Sequence, residues 1–187
     1  MSKTKNKTAA AALKILKEGN KRFVADKLKH ELQNSDRRDK LTGGQAPFAI
    51  ILSCADSRVV PELAFDAGLG EIFVIRVAGN IANTSTIASI EYAVAHLGVK
   101  LIVVLGHESC GAVSAAVGGG DNGHNLNHLL AHITPALGSK SVNSVVKKNA
   151  KLQAKDLASR SDIIGGSKGL QILPAYYERG SGKVKWL

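Results

Sequence analysis

Only two cysteines, Cys54 and Cys110, occur among 187 residues, so no framework of disulfides can hold this chain together. The expectation is a pair of reduced thiols in the cytoplasm, with the periplasm open if a leader has been removed. Long apolar runs are lacking too. None approaches the ~20 residues of a bilayer-spanning helix, and no membrane partner is expected. Aromatic residues make up 4% of the chain. They are not interleaved with basic ones, which removes the stacking platform of a single-strand nucleic-acid binder. Gly118-Gly119-Gly120 lacks the spacing of a dinucleotide loop, and Gly43-Gly44 lacks the Lys-Ser/Thr of a phosphate loop.

What the sequence has in excess is positive charge, at +10 net. Residues 1–40 hold 12 Lys and Arg against 5 Asp and Glu, and residues 139–187 hold 10 against 3. The stretch 41–138 reverses the balance, with 3 against 7. A surplus confined to the two ends describes a solvated surface better than a nucleic-acid groove, and no nucleic-acid partner is expected. The length and the 44% hydrophobic content suit one domain, 1–187, with a sizeable core. Residues 1–8 read as a disordered tail. Lys14, Lys17, Glu18, Lys21 and Arg22 break any apolar core of a secretory signal behind it.

Apolar spacing predicts a helix over 9–28, with Leu13, Leu16, Phe23 and Val24 on one face. That face has no obvious partner in the chain, so packing on a neighbouring subunit is expected. Residues 29–45 read as polar loop. Three unbroken apolar runs follow: Phe48–Leu52, Ile72–Ile75 and Leu101–Leu105. Each reads as a strand buried on both faces. Between the last two, Ile87, Ile90, Val94 and Leu97 keep helical spacing, with Thr84 or Ser85 as cap. Further helices are expected at 110–117, 125–134 and 143–158, then a strand over 170–177 and a hairpin return over 183–187. Strand–helix–strand alternation of this kind predicts an α/β fold with a mostly parallel sheet flanked by helices.

The first and third strands run into the chain's most reactive residues. One leads to Ser53-Cys54-Ala55-Asp56-Ser57-Arg58, the other to Gly106-His107-Glu108-Ser109-Cys110-Gly111. Ligand sites of open parallel sheets lie beyond the carboxyl ends of the strands, so both segments point to one crevice. Two thiolates and an imidazole are ligands that zinc favours, and they would fill three corners of a tetrahedron. A fourth corner closed by Asp56 makes a structural site, and one left to water makes a catalytic one. An Asp56–Arg58 pair would keep the carboxylate off the metal. A redox dithiol and inert packing are the competing readings of the same thiols. His124, His128 and His132, four residues apart, could share a helix face as proton carriers or a second metal site.

Those two segments together resemble the signature of the β-class carbonic anhydrases. Gly70–Arg76, Ala78-Gly79-Asn80, Ile90–Ala93, Ala175–Tyr177 and the ending Gly182–Leu187 are similar to the family as well, so the likeness spans roughly residues 10–187. The resemblance implies zinc on Cys54, His107 and Cys110, with an Asp56–Arg58 catalytic pair. It implies reversible hydration of carbon dioxide to bicarbonate, in a homodimer or homotetramer. It also implies a substrate-contacting amide at Gln45 and a pocket lined from two subunits by Phe73, Ala78 and Tyr92, with Gly111 beside the substrate. One subgroup closes its site with the aspartate and carries a bicarbonate pocket marked by a Trp three residues before the first ligand. Here Ile51 stands at that place and Gln45 marks the other subgroup, which implies an open, unregulated site. Relatives that hydrolyse carbonyl sulfide or carbon disulfide share the ligands, so that alternative stays open.

Overall fold

The computed structural model describes residues 7–187. Its strands are β1 (Ala49–Ser53), β2 (Ile72–Arg76), β3 (Leu101–His107), β4 (Gln171–Tyr177) and β5 (Val184–Trp186). They form one sheet in the order β2-β1-β3-β4-β5. The first four are parallel and β5 returns antiparallel to β4. Among the described residues the flanking helices are α1 (Ala9–Val24), α2 (Ser35–Leu41), α3 (Pro61–Ala64), α4 (Thr84–Ala95), α5 (Gly111–Gly118), α6 (His124–Ala131), α7 (Val142–Ser159) and α8 (Asp162–Gly165). None of the helices is long and apolar enough to cross a membrane.

β1 and β3 are buried at every residue. Ile51, Val103 and Leu105 pack with Ala12 and Leu16 of α1 on one face. Ile50, Leu52, Ile102 and Val104 pack with Ile87 and Ile90 of α4 and with Ala150 and Leu157 of α7 on the other. Covering on both faces explains why neither strand alternates in polarity. β2 differs. It is an outer strand, and Ile72, Phe73, Val74 and Ile75 are only half-buried.

Several expectations are corrected. The apolar face of α1 does have a partner within the chain, since Leu16 is buried on the sheet and Leu13 and Phe23 are half-buried against the same cluster. Residues 1–6 of the expected tail lie outside the described residues. Thr8, its last residue, is part of the helix, because its hydroxyl caps α1 by accepting from the Ala11 N–H at 3.3 Å. The polar stretch 29–45 contains α2, which has no buried residue; Arg37 Nε donates to Leu69 O at 2.9 Å, and the rest of its support is local. Asn34 caps it by accepting the Arg37 N–H at 3.1 Å, with Asp36 in its first turn and Arg38 and Lys40 in its last. Asn83, not Thr84 or Ser85, caps α4, accepting the Thr86 N–H at 3.0 Å.

α1 is locked down by two adjacent residues. Asn20 is buried; its amide donates to Ala64 O at 3.0 Å and Gly182 O at 2.8 Å, and accepts from Val184 N at 2.9 Å. Gly19 lets the helix touch backbone, since a Cβ there would stand 1.8 Å from Phe65 O. Helix propensity favours Ala over Gly by about 1 kcal/mol, but overpacking of this kind costs about 1–3 kcal/mol or more. Here the would-be contact is with rigid backbone, so the clash wins. Gly19→Ala is expected to destabilise the protein by about 2 kcal/mol and to lower Tm by roughly 4–8 °C. A thermal melt with an unchanged or raised Tm would refute the close approach.

Candidate metal centre

The carboxyl ends of β1 and β3 are adjacent in the sheet, with Ser53 paired to Leu105. Cys54 follows β1 directly, His107 is the last residue of β3, and Cys110 caps α5. The apolar run ends at Leu105, yet β3 continues, because Gly106 and His107 pair with Tyr176 and Tyr177 of β4. Ser109 then takes a left-handed backbone, φ 51°. Its N–H donates to Asn143 Oδ1 at 2.8 Å, an anchor on α7. That turn folds Cys110 back beside His107. All three side chains are buried, and their ligand atoms lie within 4.8 Å of one another.

The geometry fits a tetrahedral metal. Two sulfurs each about 2.3 Å from one tetrahedral centre lie about 3.8 Å apart. The Sγ atoms of Cys54 and Cys110 are 3.9 Å apart, and both cysteines are free. His107 Nδ1 stands 3.0 Å from Glu108 O. A carbonyl only accepts, so Nδ1 carries the proton and Nε2 presents its lone pair. Nε2 is buried with no hydrogen-bond partner. A buried acceptor left unmatched is costly, and a cation between Nε2 and the two sulfurs would satisfy it. The two thiols also share a hydrogen bond, in which either sulfur can donate. Cys54 is held well below the ordinary thiol range by the Cys110 thiol, helped by the N–H groups of Asp56 and Gly79, against the cost of burial. Cys110 is pushed up by Cys54 and by burial.

Asp56 is turned toward Arg58. Its Oδ1 accepts from the Arg58 backbone N–H and Nε, each at 2.9 Å, and its Oδ2 accepts from Nη2 at 2.6 Å. This fork holds the carboxyl well below the usual carboxylate range, chiefly through the Arg58 side chain and then its backbone N–H, with His107 nearby. Oδ2 also lies 3.9 Å from His107 Nε2, so the carboxylate borders the cluster without joining it.

A family model described as carbonic anhydrase matches residues 49–184. The chain belongs to the β-carbonic anhydrase family. "Carbonic anhydrase 2" of Mycobacterium tuberculosis is 40% identical over 194 residues, covering 96% of this chain and 93% of its own. The carbonic anhydrase of Mycolicibacterium smegmatis is 39% identical over 198 residues, covering 96% and 94%. Among solved structures, a tetrameric β-carbonic anhydrase of Sordaria macrospora superposes with a TM-score of 0.75 at 29% identity, over 91% of this chain and 93% of that one. A Coccomyxa β-carbonic anhydrase in complex with acetazolamide gives 0.71 at 25%, over 95% and 85%.

The other positions that the family resemblance implied are placed less uniformly. Ala78 opens the 3-10 turn Ala78–Asn80, next to Gly79, whose N–H donates to Cys54 Sγ at 3.3 Å. Gly111 starts α5 beside Cys110, and a Cβ there would meet nothing within 4 Å. Gln45 is exposed, four residues before β1, and makes no hydrogen bond among the described residues. Phe73 and Tyr92 pair with each other, ring centroids 6.4 Å apart, with Tyr92 48% exposed on α4. His124 and His128 are exposed on α6. The His128 and His132 rings meet edge-on at 5.7 Å. His132 is held low by burial and by the charges of Arg160 and His128.

Sequence reasoning missed Arg76 as a part of the site. From the end of β2 its Nε donates to Cys54 O at 3.0 Å and its Nη2 to Asp56 O at 2.7 Å, clamping the loop that carries both. The available signal was a lone arginine closing an otherwise apolar strand at the same end as the ligands.

Proposed function

We propose that the chain, as one domain, catalyses the reversible hydration of carbon dioxide to bicarbonate and a proton, with zinc held by Cys54, His107 and Cys110. The observation that carries this reading is the Asp56–Arg58 fork beside the three buried ligand atoms. With the aspartate spent on Arg58, only Cys54, His107 and Cys110 would hold the metal, which would leave room for water as a catalytic site requires. Zinc, if bound there, would supply a nucleophile at neutral pH by lowering the pKa of water far below its bulk value.

The chain's own residues do the rest. Asp56 Oδ2 accepts a hydrogen bond from the attacking oxygen, and an ionised carboxylate can only accept. It therefore admits the oxygen with its proton turned inward and its lone pair turned to the substrate carbon. Arg58 fixes the carboxylate in that role. The open space over the bare backbone of Gly111, next to Cys110, would leave room for a small apolar substrate, with Ala78 contributing a small apolar side chain beside Gly79.

The minimal unit in this reading is a homodimer, able to pair into a homotetramer. The support is the half-buried apolar edge of β2, the kind of strand that natural proteins cover or pair. The exposed Gln45 and Tyr92, with Phe73, would then complete a neighbour's pocket. Light scattering should give a mass of at least two chains; a monomer at micromolar concentration would remove this part. The same reading places the protein in the cytoplasm, where paired thiols stay reduced, and cell fractionation tests that. Zinc-loaded protein in a stopped-flow indicator assay should hydrate carbon dioxide well above buffer between pH 7 and 9. No rate above buffer with full zinc occupancy would overturn the proposed activity.

A further inference from the structure

We propose that two buried amides of α7, Asn149 and Gln153, are positioning residues for the metal centre, acting on Cys54 through the backbone of Gly79. The inference rests on the reading of Cys54 as a metal ligand. Gly79 sits in the left-handed region, φ 71°, inside the turn Ala78–Asn80. That conformation aims its N–H at Cys54 Sγ, 3.3 Å away. The turn is closed locally by the Asn80 N–H, which donates to Val77 O at 2.9 Å, but that bond leaves the Gly79 carbonyl to be held from outside. That carbonyl is held by Asn149 Nδ2, which donates at 2.9 Å. A Cβ at Gly79 would stand 2.7 Å from Ile133 Cδ1, so the turn is also wedged against a neighbour.

Asn149 is oriented in turn. Its Oδ1 accepts from Gln153 Nε2 at 3.1 Å, and the same Nε2 donates to His132 O at 3.0 Å. Gln153 Oε1 accepts the Ala82 N–H at 2.8 Å. Every partner fixes which end of each amide is which. Both partners of Gln153 Nε2 are oxygens, and the partner of its Oε1 is an N–H, so a flipped amide would set acceptor against acceptor. The chain of bonds therefore has one direction, ending at the sulfur of Cys54. Asn149 is 1% exposed and Gln153 5%, so water does not substitute for a lost member. Arg160 adds to the clamp by donating to Ala82 O.

The N–H on a ligand sulfur has a chemical role. It draws electron density from the thiolate, so that less is donated to the metal and the metal stays a stronger Lewis acid. It also fixes the direction of the sulfur lone pairs. Two thiolates would otherwise weaken a metal's pull on water.

The test is Asn149→Asp, nearly isosteric but without the donor to Gly79 O, beside Gln153→Glu, which loses the donor to Asn149. Zinc release to a chelator and the thiolate-to-cobalt charge-transfer band of the cobalt-substituted protein are read together. Partners of metal ligands typically contribute 10–100-fold to metal affinity. Because Gly79 then no longer fixes the direction of the sulfur lone pairs, zinc loss from Asn149→Asp should be roughly 10–100-fold faster, while the sulfur, relieved of the N–H, donates more and moves the charge-transfer band to longer wavelength. Gln153→Glu should shift the band in the same direction, and Asn149→Gln, if it restores the donor, should return it. A wild-type band position and zinc off-rate in folded Asn149→Asp or Gln153→Glu would overturn the proposal, as would a lower melting temperature with both readouts unmoved. If the wild-type protein gives no thiolate-to-cobalt band at all, the ligand assignment itself fails, and this inference with it.

Discussion

Asp56→Asn is expected to lower kcat/KM for carbon dioxide hydration by at least about 100-fold while zinc content stays at the wild-type level. Removing one preorganised hydrogen-bond partner of a reacting oxygen costs roughly 10²–10³-fold. The substitution keeps the shape and removes the charge, so only half of the amide can accept from Arg58. The other half faces the Arg58 donors that now grip Oδ1 and Oδ2. Because Asp56 is not among the ligand atoms within 4.8 Å of one another, metal retention should not suffer. Steady-state kinetics and zinc analysis on one preparation decide it. Full activity would show that the carboxylate has no catalytic role, and lost zinc would show that Asp56 belongs to the ligand set. The pH profile carries a related expectation. Arg58 depresses the Asp56 pKa below the usual carboxylate range. A depressed carboxylate is ionised above its folded pKa and loses its contribution only as pH falls through that value. Any decline of activity between pH 9 and 5 therefore originates elsewhere than in Asp56.

Cys54→Ser is expected to abolish stable zinc binding, and activity with it. Structural zinc sites of four ligands are worth about 10–16 kcal/mol. One thiolate's share is about 3 kcal/mol, which corresponds to roughly a 100-fold loss of affinity at 1.4 kcal/mol per factor of ten. The loss should exceed that figure, because serine does not ionise near neutral pH and the Gly79 N–H would face a hydroxyl instead of a thiolate. Dialysis against a chelator followed by metal analysis should find the variant empty where the wild type is loaded. Full occupancy would mean that another residue holds the metal.

The residues of the centre were legible in the sequence because chemistry-bearing side chains stood directly at the ends of unmistakable apolar runs. Cys54, His107 and Cys110 needed only the rule that parallel strands deliver their carboxyl ends to one side. The Asp56–Arg58 fork was legible for a similar reason, since its partners are two residues apart. Asn149 and Gln153 were not. They read as ordinary polar positions of a helix, and their partners are backbone atoms of Gly79 and Ala82, about seventy residues away in the chain. Only the fold shows that these amides are buried. α2 escaped because it buries nothing and so leaves no apolar period. The destination of α1 escaped because the face it covers is assembled from β1, β3 and the Phe65 loop, which no single stretch of sequence displays. The extension of β3 to His107 depends on pairing with β4, a contact across some seventy residues.

The adjacency of β1 and β3 bears on how the protein comes into being. β2 intervenes in the chain but lies at the sheet's far edge, so Cys54 meets His107 and Cys110 only after the segment carrying β2 and α4 has crossed over and β3 has docked. Closing that loop costs entropy before any non-local contact repays it. In an early, half-collapsed chain only His107 and Cys110, three residues apart on one segment, are neighbours, and Cys54 is not yet beside them. A metal held by Cys54, His107 and Cys110 together would therefore find its full ligand set only in a chain whose sheet is already paired.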